Sequence, residues 1–113
     1  RLSVSAYYEC YGTTGSCIAA ANMTTDTVTI AATGGSGAGP TYSWAKLAGD
    51  TFTITASTSA ATAFSASVNR NSSKSATYRC TVTRGAATYD VDVNVLAVYT
   101  YANDTDPPIG PEP

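Results

Sequence analysis

The chain has 113 residues, 12% of them charged, with a formal net charge of -2 and an isoelectric point near 4.7. That length suits one domain rather than two. Six scattered basic residues leave no electrostatic footprint for nucleic acid, and no apolar run approaches the ~20 residues of a membrane helix. The absence of histidine removes the usual activation of a serine or cysteine nucleophile.

Alternation of apolar and polar residues recurs along the chain with turn signals between the runs, which predicts strands throughout. Leu2, Val4, Ala6 and Tyr8 share one face of a first strand. Val28, Ile30 and Ala32 share the inward face of the next, and the glycine-rich residues 34–40 follow as a turn. Tyr42, Trp44 and Lys46 alternate on a third strand, Phe52, Ile54 and Ala56 on a fourth, and Phe64, Ala66 and Val68 on a fifth. After a polar turn at residues 69–73, Ala76, Tyr78, Cys80 and Val82 point inward on a sixth. A hairpin at Arg84-Gly85 then leads to Tyr89, Val91, Val93 and Val95 facing the core, with Asp90, Asp92 and Asn94 facing water.

About seven strands at this spacing describe an all-β, two-sheet Greek-key sandwich. Tyr78 two residues before Cys80, with Trp44 upstream, is the core signature of an immunoglobulin-like sandwich. Trp44, Tyr78, Cys80, Ile30 and Val93 are therefore the expected core, with the Tyr78 hydroxyl returning to the backbone of residues 69–75 as a tyrosine corner. The sandwich is expected over residues 1–101. Residues 102–113 hold four of the five prolines and read as a solvated or polyproline-like arm.

Three cysteines leave at least one thiol unpaired. Cys10 and Cys17 flank a loop short enough to be bridged, and a bridge or two free thiols both fit that spacing. Cys80 is expected to be buried as a small hydrophobe. No signal-peptide pattern is read at the start. With arginine at position 1, a trimmed initiator and release from a longer precursor both stay open.

The surface candidates are aromatic. Tyr7, Tyr8 and Tyr11 near the start, with Tyr99, Tyr101, Pro107 and Pro108 near the end, suit an interface or a sugar-stacking platform. Tyrosines covering the edge where the first and last strands meet is the competing reading, of equal weight. Asp90 with Asp92, and Asp104 with Asp106, are two-carboxylate groupings, too few for a calcium cage. They read as solubilising charges on an edge strand. Asn22, Asn71 and Asn103 begin N-glycosylation triplets, which a chain rich in Ser and Thr produces by chance. The loops at residues 33–39 and 84–87 lack the aromatic and arginine anchors of a high-affinity binding site. No catalytic residue, metal ligand or cofactor site is expected.

The stretches Thr27-Val28-Thr29-Ile30-Ala31-Ala32-Thr33-Gly34-Gly35, Pro40-Thr41-Tyr42-Ser43-Trp44 and Thr77-Tyr78-Arg79-Cys80-Thr81-Val82-Thr83 resemble the Ig-like and PKD-like domains of tailed-phage virion proteins. Related domains occur in bacterial surface proteins, and the likeness covers roughly residues 27–95. It implies a non-enzymatic capsid-decoration or tail module, attached to other virion subunits in a multi-copy assembly, with weak adhesion to host-surface polysaccharide. The implied location is a virion surface or the extracellular space, without nucleic acid or membrane as partner.

A fibre, pilus or adhesin subunit is the alternative. There, residues 2–9 or 91–101 would pair with another chain by strand addition. A carbohydrate-binding module, resting on the tyrosines alone, ranks third. The sequence departs from antibody-type domains in two places. Ile30 and Ala32 stand where a partner for Cys80 would, and Lys74 stands where an aspartate commonly precedes the tyrosine.

Overall fold

Alternating β-branched and aromatic residues build strands over most of the computed structural model, which describes residues 2–12, 14–32 and 39–102. β1 spans Leu2–Tyr11, β2 Ala20–Thr24, β3 Val28–Thr29, β4 Thr41–Gly49 and β5 Thr53–Ile54. β6 spans Ala61–Thr62, β7 Phe64–Asn69, β8 Ser72–Arg84 and β9 Ala87–Ala102. One 3-10 turn, Thr14–Ser16, is the sole helical piece among the described residues. The protein is all-β.

The strands form a four-stranded sheet in the order β1-β9-β8-β4, a three-stranded sheet β2-β7-β5, and a small β3-β6 pair. β1 runs parallel to β9, with Leu2 opposite Val93 and Tyr11 opposite Ala102. β8 and β9 form a long antiparallel hairpin closed by two residues between Arg84 and Ala87. Gly85 there has φ 59, the positive value that tight hairpin turns demand. Asn71, at φ 58, makes the corner from β7 into β8, a conformation asparagine tolerates better than most residues.

Apolar faces of the two larger sheets meet in one interior. Trp44, Tyr78, Cys80, Val93, Val95 and Tyr99 come from one side, and Ala21, Met23, Phe64 and Val68 from the other. Phe64 is the aromatic hub: its ring lies 5.7 Å from Trp44 at 75° and 4.9 Å from Tyr78. Truncating such a ring to alanine costs about 3–5 kcal/mol. The arrangement is sandwich-like, and its core contains Trp44, Tyr78, Cys80, Ile30 and Val93.

Several details differ from the sequence reading. β2 is a strand that the sequence pattern does not predict, although Ala21 and Met23 alternate inward against exposed Asn22 and Thr24. The strand expected through Ala32 ends at Thr29. A bulge between Lys46 and Ala48 ends the regular alternation of β4 and leaves Lys46 in solvent, bonded to Gly49 O and Thr51 Oγ1. Tyr89 has inward parity yet is 60% exposed, although Val82 opposite it on β8 is buried. The strand continues through Ala102, which is buried and accepts a bond from Gly12 N, so residue 102 belongs to the sandwich rather than to an arm.

The Tyr78 hydroxyl makes no tyrosine corner. It accepts from Phe52 N–H at 2.8 Å and donates to Phe52 O at 3.0 Å. Residues 72–75 are already β8, so it is the segment after β4 that lies across this hydroxyl. That segment is pinned by Asp50, whose N–H donates to Ser75 O and whose carboxylate accepts from Ser75 N–H. Gly49 makes the approach possible: at φ 91, a Cβ there would lie 2.6 Å from Ser75 O.

Candidate interaction surface

β1 carries most of the exposed aromatic area. Tyr7 is 67% exposed on the outer face, where it lies opposite Val98 of β9. Leu2, Tyr8 and Tyr11 are also exposed, and Ile18 adds an apolar side chain just beyond the 3-10 turn. Val4, Ala6 and Cys10 turn inward and rest against the core. The strand thus presents one anchored face and one open face.

The strand's far end is fixed by a disulfide between Cys10 and Cys17, with Cα atoms 5.9 Å apart. The bridge holds the 3-10 turn against the sheet and so positions the carbonyls that follow. Arg70 Nη1 donates to Cys17 O at 2.8 Å, and its guanidinium lies 5.3 Å from the Tyr101 ring centre. The Tyr99 hydroxyl donates to Ile18 O at 2.6 Å. Tyr8 meets the Tyr99 ring edge-on at 4.9 Å.

The candidate tyrosines therefore divide. Tyr99 is 1% exposed and belongs to the interior, and burial, reinforced by neighbouring Tyr8, pushes its hydroxyl pKa up. Tyr101 is half-buried under Arg70, while Tyr7, Tyr8 and Tyr11 are surface residues. Pro107 and Pro108 lie outside the described residues, as do Asn103, Asp104, Asp106 and residues 33–38. Arg70 had no signal in the sequence, because its partners lie far away along the chain and meet it only after folding.

Asp90 and Asp92 lie on the stretch of β9 before Val93, which pairs with β8 on one side and has no β1 residue opposite it on the other. They grip Arg79 on the neighbouring strand: its Nε lies 2.7 Å from Asp92 and its Nη1 3.8 Å from Asp90. Thr81 Oγ1 also donates to Asp90 at 3.0 Å. The bond to Asp92 holds the Arg79 guanidinium yet more firmly protonated. An open recess of about 540 Å³ borders this cluster, lined by Leu2, Ile30 and Val91 beside the charged trio. Among the described residues, no group of three or more metal-ligating side chains occurs.

Cys80 is fully buried opposite Trp44, and burial raises its thiol pKa. A protonated, enclosed thiol is a poor nucleophile. Asn22 and Asn71 are both exposed, the first on β2 and the second at the corner before β8. Compared with family models, curated proteins and solved structures, the chain matches none.

Proposed function

We propose that this chain is an immunoglobulin-like Greek-key module of a tailed-phage virion, a non-enzymatic structural part that attaches to neighbouring subunits in a multi-copy assembly. The observation carrying the architectural half is strand order. Immunoglobulin-like domains set strands B, E and D against C, F and G. Here β2-β7-β5 faces β4, β8 and β9, with the first strand lying beside the last. The virion half rests on the sequence resemblance around Trp44 and Tyr78.

The side chains support an attachment role over a catalytic one. Asp50, Asp90 and Asp92 are engaged in bonds that hold the fold together. Among the described residues, most exposed large hydrophobics (Leu2, Tyr7, Tyr8, Tyr11 and Ile18) lie on or beside β1, with Leu47 on β4 and Tyr89 on β9 apart from them. Tyrosine offers area at low entropic cost, which suits protein contacts and weak stacking on host-surface sugars.

Antibodies raised against the folded chain test this reading on particles and cell-surface fibres from its source. Labelling of capsids or tails in electron micrographs is the expected result. Labelling of bacterial fibres would replace it with the alternative, an adhesin or pilus subunit joined by strand addition.

A further inference from the structure

Within a strand, the N–H and C=O of one residue point to the same side, and those of its neighbours to the other. Gly12 N–H donates to Ala102 O at 3.0 Å, with Tyr11 registered on Ala102. That bond sets the phase of all of β1. Val4, Ala6, Tyr8 and Cys10 turn their backbone groups to β9, while Ser3, Ser5, Tyr7 and Glu9 turn theirs outward from the sheet. No described residue pairs with those outward groups.

The other edges are blunted, and the open stretch of β9 before Val93 carries the charges of Asp90 and Asp92. β4 carries a bulge beside Lys46 and is crossed by a covering segment. Its Trp44 N–H donates to Ser57 O and the indole Nε1 to Ser59 O. β2 has five residues and β5 two. β1 has ten, with no proline and one charge, Glu9. Long, flat and nearly neutral edges are templates for another strand, and proteins ordinarily disrupt them.

We propose that β1 pairs antiparallel with β1 of a second copy of this chain, with Ala6 on the two-fold axis, so that two four-stranded sheets become continuous. Outward-facing residues have to meet outward-facing residues, which allows only registers joining odd positions to odd. Centring on Ala6 sets Ser3 against Glu9 and Ser5 against Tyr7, uses all four open residues, and closes about eight hydrogen bonds. On the inner face Val4 meets Tyr8, and Ala6 meets itself at the ~4.5 Å approach of a non-hydrogen-bonded pair, which small side chains permit.

The self-complementary register favours a second copy as occupant, and charge does not oppose it. Each Glu9 meets a serine, and the two carboxylates lie about 20 Å apart at ~3.4 Å per residue, beyond the ~8 Å screening length. The contact is isologous, each copy giving and receiving the same bonds. Strand edges alone bury little area, so pairing rises with concentration. It is favoured where copies are already held close, a clause that rests on the multi-copy reading above.

Mixing S5C and Y7C proteins under mild oxidation tests the register. The expected product is a dimer whose linked peptides join position 5 to position 7, several-fold in excess of any adduct from either variant alone. Ser5→Pro removes an outward N–H without touching a bond to β9. It should leave the melting temperature within a few degrees and lower the dimer fraction in sedimentation about tenfold. Should that variant fail to fold, Ser5→Lys with Tyr7→Lys sets like charges opposite each other and should have the same effect on the dimer.

A wild-type chain that stays monomeric at millimolar concentration overturns the proposal. So does absence of the 5-to-7 adduct, or capture of a strand from a different protein in place of the copy. Failed antibody labelling would remove the virion assignment and leave this pairing intact; a strict monomer would do the reverse.

Discussion

Tyr78 packs between Phe52 and Phe64 and satisfies both backbone groups of Phe52 with one buried hydroxyl. Tyr78→Phe keeps the ring and strands that N–H and C=O in an apolar interior. The expected loss is roughly 1–3 kcal/mol, read as a lower urea midpoint with an unchanged slope. Tyr99 and Cys80 share a different liability, because burial raises both pKa values above the ordinary 10.0 and 9.0. Their protonated forms are favoured in the folded state, so the unfolded chain ionises first as pH rises. Stability is full below the ordinary thiol and phenol ranges and falls as pH climbs through them. Urea midpoints from pH 7 to 11 should show that decline, and Tyr99→Phe should make it shallower than in the wild type.

At the level of elements, β1 is held along its whole length by the β9 ladder and is tied at its far end by the Cys10–Cys17 bridge. The bridge closes a loop with a sequence separation of 7. On loop entropy alone, opening a ring of that size costs about 2–3 kcal/mol. Reduction, or Cys10→Ser with Cys17→Ser, should therefore lower the melting temperature and free the turn supplying Ile18 O to Tyr99. Differential scanning calorimetry with and without reductant measures it, and buried Cys80 should stay unmodified by thiol reagents in the folded chain. Legibility in the sequence follows the same elements. β8 was readable because Ala76, Tyr78, Cys80 and Val82 alternate without interruption. β2 is hard to read because only alanine and methionine mark its inward face. Tyr89 has the period of the inward face and is still exposed: parity says which side a residue faces, not how far it is covered.

For the whole molecule, the decisive feature is that the first and last strands lie side by side and parallel. Until that closure forms, β9 has no partner on one side, and closing nearly the full chain length makes the step entropically late. Hydrogen exchange followed by mass spectrometry should find the β8–β9 amides most protected and the two-residue strands β3, β5 and β6 fastest. Equal protection across all strands would contradict this picture. The all-β character, the core around Trp44, Tyr78 and Cys80, and the hairpin at Gly85 could be read from local order, since period-two alternation and turn chemistry act between near neighbours. The partner of the Tyr78 hydroxyl, the burial of Tyr99, the grip of Arg70 on Cys17 O and the open side of β1 could not. Each depends on which distant segments meet, and that is settled only when two sheets close over one shared interior.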